Sequence, residues 1–394
     1  MSDKSINSAF SSWKIWLAVL IGLGFASYML FSSLNEIHFV ETKSGKGTHV
    51  WEDFNKNSKV DLSVKEEFKL QKNGNYRIKT NSEFIAEIPW TKQTFFYLAL
   101  AIVFMFGRDL AYMWRIKILT KDKLTWKSSF YVIMMWEFAS ALAPGVASGS
   151  TVAMFILNKE KIPLGKSTAI VIVTTMMDNL FYVLMIPFVF LFISSSALFP
   201  SESAVDKSIE FLFWSAYGIF FLLFLLLFVS IFFYPHFIKH FLSFIFRLPF
   251  LKKWRNGAIK TGEEVEITSK EFKKEKISFW FKSFLATFIS WTSRYMVINC
   301  ILAGFVSLTF SDHFFVLGKQ FVLWLFMRVS PTPGGSGVAE YAFGELMTTF
   351  SDSAILLVSL AILWRLISYF PYLIIGAMIL PRWIKKKQIK KVTT

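Results

Sequence analysis

Arg328-Val329-Ser330-Pro331-Thr332-Pro333-Gly334-Gly335-Ser336-Gly337-Val338-Ala339-Glu340 is the stretch that decides how this chain folds. It lies within an otherwise apolar region, residues 314–350. A helix cannot run through it: proline lacks the amide donor and glycine costs about 1 kcal/mol against alanine. In hydrocarbon the freed backbone groups need partners, so a broken helix survives only where protein or a water-filled cavity surrounds it. Arg328 and Glu340 flank the break, and an ionisable side chain at membrane depth points to function. The stretch reads as the tip of a re-entrant helical hairpin lining a polar site.

Composition supports that setting. Of the 394 residues, 54% are hydrophobic and 46 are Phe, and the mean hydropathy is +0.48. Several runs reach the roughly 20 apolar residues that a spanning helix needs. This is the profile of a polytopic membrane protein rather than a soluble one. The net charge of +16 is explained by basic cytoplasmic loops, with attraction to anionic lipid as a second benefit, and not by nucleic acid. The single cysteine, Cys300, excludes an internal disulfide framework and a cysteine metal site. His236, His240 and His313 lack ligand spacing, so no metal and no cofactor is expected.

Loop charge orders the rest. Residues 1–34 form a polar arm and a first membrane helix, read as retained rather than cleaved. Residues 35–89 form an extracytoplasmic insert with as many basic as acidic residues. There, alternation at Val60, Leu62, Val64, Phe68 and Leu70, then Asn73-Gly74-Asn75, then Tyr76 and Ile78, predicts a small β-hairpin; residues 41–58 read equally well as loop. A second helix spans 90–114, and Arg115, Lys117, Lys121, Lys123 and Lys127 follow it against Asp122 alone, marking the cytoplasmic side. Residues 128–157 are interrupted by Pro144, Gly145 and Gly149 and followed by Lys159, Lys161 and Lys166. A segment that starts and ends on one face is a hairpin, not a span.

Helices over 167–193, carrying Asp178, and 211–234 complete a first membrane unit, residues 90–234. Residues 235–278 are a basic segment whose phenylalanines and lysines suggest a helix lying in the inner interface. A second unit, 279–380, has a helix over 279–303 with Arg294, the hairpin 314–350, and a helix over 353–380 with Arg365. A basic cytoplasmic tail covers 381–394. The two hairpin units enter from opposite faces, with Pro144-to-Asp178 and Pro333-to-Arg365 nearly equally separated. The expected fold is therefore all-α, with about six spanning helices and two re-entrant hairpins in an inverted repeat. Such folds place their site near the midplane. Both termini are expected in the cytoplasm of a cell-membrane protein.

The motif Pro331-Thr332-Pro333-Gly334-Gly335-Ser336-Gly337-Val338-Ala339-Glu340, with Arg365 downstream, resembles the PxxGGxGxxE signature of the lysylphosphatidylglycerol synthase transmembrane family, over most of residues 91–380. The resemblance implies a lipid-translocating membrane domain, here expected without the aminoacyl-transferase domain.

Arg328, Glu340, Arg365, Asp178, Arg294 and Glu137 are the candidate substrate-binding or gating residues. Pro144, Gly145, Gly149, Pro331, Pro333, Gly334, Gly335 and Gly337 are the expected breaks. Bland readings stand beside these: Arg328 and Glu340 pairing to staple the hairpin, Asp178 pairing with Arg365 across the repeat, Arg108-Asp109 as a helix-end pair, and arginines snorkelling to a membrane face. The leading function is a flippase-like transporter, not an enzyme, moving a lipid with an anionic phospholipid, polyprenyl-linked or glycolipid head. The rivals are an integral-membrane lipid transferase and a non-catalytic envelope assembly factor. Membrane lipids are the expected partners, with envelope-biosynthesis proteins as a further class.

Overall fold

Apolar side chains coat the outside of this molecule and charged ones sit within it. Phe95, Phe96, Val103 and Phe106 of one helix are exposed, whereas Arg108 on the same helix is fully buried. That inversion is what a bilayer selects, because the solvent there is hydrocarbon. The computed structural model describes residues 39–42, 45–54, 60, 65–78, 80, 83, 90–142, 148–199, 204–245, 255–330, 332–351 and 353–392. The expected first membrane helix (13–34) and the first break with Pro144 and Gly145 lie outside these, as does Pro331.

The insert is a four-stranded antiparallel sheet: β1 (Phe39–Glu41), β2 (Gly47–Trp51), β3 (Phe68–Gly74) and β4 (Tyr76–Ile78), in the order β1-β4-β2-β3. This corrects the expected hairpin. The chain does turn at Asn73, whose φ is +64°, but β2 lies between β3 and β4 and pairs with both, Trp51 opposite Phe68 and His49 opposite Tyr76. The strand that completes the sheet is Gly47–Trp51, inside the segment read as loop. Its Val50 and Trp51 are only half-buried, and so gave a weak alternation. Phe39 and Phe68 stack at 4.0 Å between ring centroids to form the small core.

The membrane part is helical: α1 (Lys92–Leu119), α2 (Trp126–Leu142), α3 (Ser148–Lys159), α4 (Leu164–Val189), α5 (Ala204–Phe232), α6 (His236–Ile245), α7 (Arg255–Lys273), α8 (Ile277–Phe305), α9 (Phe310–Val329), α10 (Val338–Met347), α11 (Ala354–Ser368) and α12 (Phe370–Val392). Among the described residues four stretches are long and apolar enough to cross a bilayer: Lys92–Leu119, Leu164–Val189, Lys207–Phe232 and Ile355–Leu380. α8 is as long, but Lys282, Arg294 and many hydroxyls make it more polar. The helix expected over 353–380 is broken at Tyr369, one residue before Phe370-Pro371. Pro371 has no amide to donate to Ile367 O, so the hydrogen-bond ladder loses a rung across Tyr369, which accounts for the interruption.

α1 and α8 form the central pair and run antiparallel. Thr94 Oγ1 donates to Gly304 O at 2.7 Å near the start of α1, and Ser290 Oγ donates to Arg108 O at 3.1 Å farther along. Arg115 then meets Thr287. Small residues line this seam, including Gly107 against Ser293, so the backbones approach closely.

α2 and α3 leave from and return to the same end. Lys121, just before α2, pairs with Glu275, and Lys166, just after α3, pairs with Glu271 of α7. Gly165 N also donates to Glu264 of α7 at 2.8 Å, and Trp383 of α12 donates to Glu160 at 2.8 Å. α9 and α10 likewise begin and end together, with Phe315 and Phe350 5.8 Å apart.

Candidate functional site

Three glycines of the second break adopt left-handed backbone: Gly334 (φ +58°), Gly335 (+69°) and Gly337 (+87°). At Gly334 a methyl group would come 2.2 Å from the Tyr369 ring, so close approach as well as φ demands glycine. Glu340, in the first turn of α10, accepts from Gly337 N at 2.7 Å, placing a carboxylate at the positive end of the helix. Arg365 of α11 completes the knot. Its Nε lies 2.9 Å from Glu340 Oε1, and its Nη2 donates to Gly334 O at 3.0 Å and Ser336 Oγ at 3.1 Å. Both ionic side chains are buried. The carbonyl freed by the break thus finds a charged donor, as membrane depth requires.

Tyr369 links this knot to the first break. Its ring lies 3.8 Å from the Arg365 guanidinium carbon, and its hydroxyl donates to Ala141 O at 3.2 Å. That carbonyl belongs to the last turn of α2. Across the break, Gly149 of α3 packs on Ser140 so tightly that a methyl group would sit 2.0 Å from the hydroxyl.

Between the breaks lies a cavity of about 300 Å³. Residues on either side of both interruptions contribute to its wall, Ser140, Gly149 and Ser150 around one and Thr332, Gly334 and Gly335 in the other. Charged groups enter from five helices: Arg115 of α1, Glu137 of α2, Asp178 of α4, Arg294 of α8 and Arg328 at the end of α9. Two of these five are acids, and both are engaged. Asp178 pairs with Arg115 at 2.5 Å and accepts from Trp291 Nε1 at 2.9 Å. Glu137 lies 2.7 Å from Arg108, whose guanidinium also contacts Asp109 at 2.8 Å; Tyr372 of α12 donates to Asp109 at 2.7 Å. Arg294 and Arg328 differ. Among the described residues neither has a carboxylate partner; each lies over an indole, Arg294 5.5 Å from Trp291 and Arg328 4.3 Å from Trp324.

Of the expected site residues, Arg328, Arg294, Asp178 and Glu137 face the cavity together. Glu340 and Arg365 do not: they lie behind the wall and hold the glycine turn. Three expected pairings are corrected. Glu340 takes Arg365 rather than Arg328, because Arg365 projects from the next helix into the turn. Asp178 takes Arg115 rather than Arg365, because α4 packs beside α8 and Asp178 there meets Trp291 of α8 and Arg115 of α1. Arg108-Asp109 is no helix-end pair, because α1 continues to Leu119 and buries Arg108 at the centre of a cluster with Glu137 and Tyr372. Pro333 and Gly335 lie in the turn, while Pro144, Gly145 and Pro331 fall outside the described residues.

Arg115, Tyr369 and Tyr372 went unread in the sequence. A signal for the first existed. Arg108, Tyr112 and Arg115 recur at helical spacing, so they share one face, and the Tyr112 ring lies 4.6 Å from each guanidinium. Ending that helix at Trp114 assigned Arg115 to the loop and hid the stripe.

Comparison with known proteins agrees with this architecture. A UPF0104 membrane protein of Archaeoglobus fulgidus is 24% identical over 305 residues, spanning 76% of this chain and 90% of that protein. No solved structure matches. The family model for the lysylphosphatidylglycerol synthase TM region covers residues 82–376, both helix breaks and every charged residue of the cavity included. The chain belongs to the lysylphosphatidylglycerol synthase transmembrane-region family.

Proposed function

We propose that this protein is a flippase-like transporter that carries the anionic head of a membrane lipid through the cavity between the two breaks. The observation that carries the reading is a polar chamber holding Arg294 and Arg328 without carboxylate partners, inside a bundle whose exterior is apolar. A lipid head needs such a path while its acyl chains stay in the bilayer, because an unsolvated charge costs several kcal/mol in hydrocarbon. An engaged anion supplies what the two guanidiniums lack.

On this reading the two broken helix pairs are re-entrant hairpins of an inverted repeat. The antiparallel course of α1 and α8 supports it, as does the return of each pair to its starting end. The end where α7, Glu160 and Trp383 meet is the cytoplasmic one, since its loops carry the excess lysine. The protein sits in the cell membrane with the insert outside, and alternation between two openings around a fixed site moves the head. No covalent change to the lipid is required.

The test is leaflet translocation in proteoliposomes with a fluorescent anionic phospholipid. Wild-type protein should accelerate it, and the double variant Arg294→Gln, Arg328→Gln should lose at least tenfold in rate with little change in melting temperature. Full translocation by the folded double variant would refute the site. A chemically altered lipid recovered from the vesicles would favour a transferase instead.

A further inference from the structure

The family takes its name from lysylphosphatidylglycerol, an aminoacylated, hence cationic, lipid; the cavity of this chain has a different electrostatic demand. We propose that the head recognised here is a phosphodiester ending in a neutral, hydroxylated group, a glycerol or a sugar, and that lipids whose head carries an added amine are rejected. This deepens the proposed site and rests on that reading for its connection to transport, though not for its selectivity.

The strongest partner for an ammonium group is a carboxylate, and the two that line the chamber are already paired. Asp178 is held by Arg115 and by the Trp291 indole N–H. Glu137 lies against Arg108. The side chains of those two arginines are 6% and 0% exposed. Drawing Asp178 toward a ligand would leave the Arg115 guanidinium in the protein interior without its carboxylate, which is strongly unfavourable, and drawing Glu137 away would leave Arg108 with Asp109 alone. The remaining charges facing the chamber, Arg294 and Arg328, repel a cation and attract a phosphate.

The neutral end follows from the other polar groups. The hydroxyls of Ser140 and Ser150 line the chamber with no hydrogen bond to protein among the described residues. Each can donate and accept, which suits a ligand hydroxyl. Trp291 and Trp324, the indoles that carry the two arginines, also line the chamber and add apolar surface of the sort that covers a polyol. The volume, about 300 Å³, is at the small end of ligand cavities, enough for a phosphodiester with a compact substituent.

The decisive measurement is equilibrium binding to detergent-purified, full-length protein, using short-chain phosphatidylglycerol, short-chain lysyl-phosphatidylglycerol and free glycerol 3-phosphate. Phosphatidylglycerol should bind at least tenfold more tightly than its lysyl derivative. Arg294→Gln with Arg328→Gln should reduce its affinity at least tenfold, while Arg294→Lys with Arg328→Lys, which keeps both charges, should recover part of it. Equal or tighter binding of the lysyl lipid, or no binding of any lipid, overturns the proposal. Equal affinity for glycerol 3-phosphate overturns its lipid part and leaves a soluble phosphate ester as the ligand. Selective binding without translocation in vesicles would uphold the selectivity and remove the transport reading, so the two fail separately.

Discussion

Arginines occupy two different regions of the membrane part. Arg108, Arg115 and Arg365 form part of the wall: each pairs with a carboxylate on another helix or on the glycine turn, and each is buried. Arg294 and Arg328 form the open face of the cavity: they are half-buried, lie over indoles, and have no carboxylate partner among the described residues. The same side chain therefore does two jobs. In the wall it satisfies backbone and acid groups that the helix breaks and interior acids would otherwise leave stranded. At the open face its charge is matched by no carboxylate among the described residues.

The contrast can be broken most forcefully at Arg365. Arg365→Ala leaves Glu340 buried without its cation and the Gly334 carbonyl without its donor. The expected cost is about 3–5 kcal/mol, visible as a large drop in melting temperature in detergent and in the yield of monodisperse protein. A normal melting curve with translocation alone lost would move Arg365 from the wall to the ligand face.

Gly334→Ala tests the same knot through its backbone. The residue would need left-handed geometry, and its methyl group would meet the Tyr369 ring. The penalty should be about 1–3 kcal/mol, smaller than for Arg365→Ala because a ring can shift and a buried charge cannot. If Gly334→Ala melted like the wild type, Tyr369 would not be a fixed strut between the two breaks.

The smallest effect is expected where an ion pair is exposed. Arg77 and Glu83 in the insert are paired at 2.6 Å and more than a third exposed. The Arg77 guanidinium, helped by Thr80, holds the Glu83 carboxyl down at about 2. A depressed acid contributes stability above its unfolded value that is lost as pH falls toward the folded one, here from about pH 4.5 to about pH 2. Exposed pairs contribute little, so acidification through that window, followed by fluorescence of Trp51, should loosen the sheet only slightly relative to Glu83→Gln. A steep transition there, absent in the variant, would show that exposure does not separate the strong pairs from the weak.

Much of the architecture was legible in the residues. Proline and glycine inside apolar runs announce a break because the backbone rule in hydrocarbon has no exceptions to hide behind. The break at Tyr369 was equally legible from Pro371, but the run of apolar residues around it read as continuous. The sheet was harder: its second strand has few buried positions, and burial is what imprints alternation on a strand. The cavity was legible as a set of charges and not as an arrangement. Arg365 and Arg328 look alike in sequence, both set within apolar runs.

By itself, then, the order of residues determined the membrane class, the helix breaks and the family, since each depends on local composition and backbone chemistry. Tertiary structure alone decided which charges are spent and which remain available. Arg115 meets Asp178 and Arg108 meets Tyr372 across helices far apart in the chain. Helical periodicity says which residues share a face, but only packing says which neighbour that face meets.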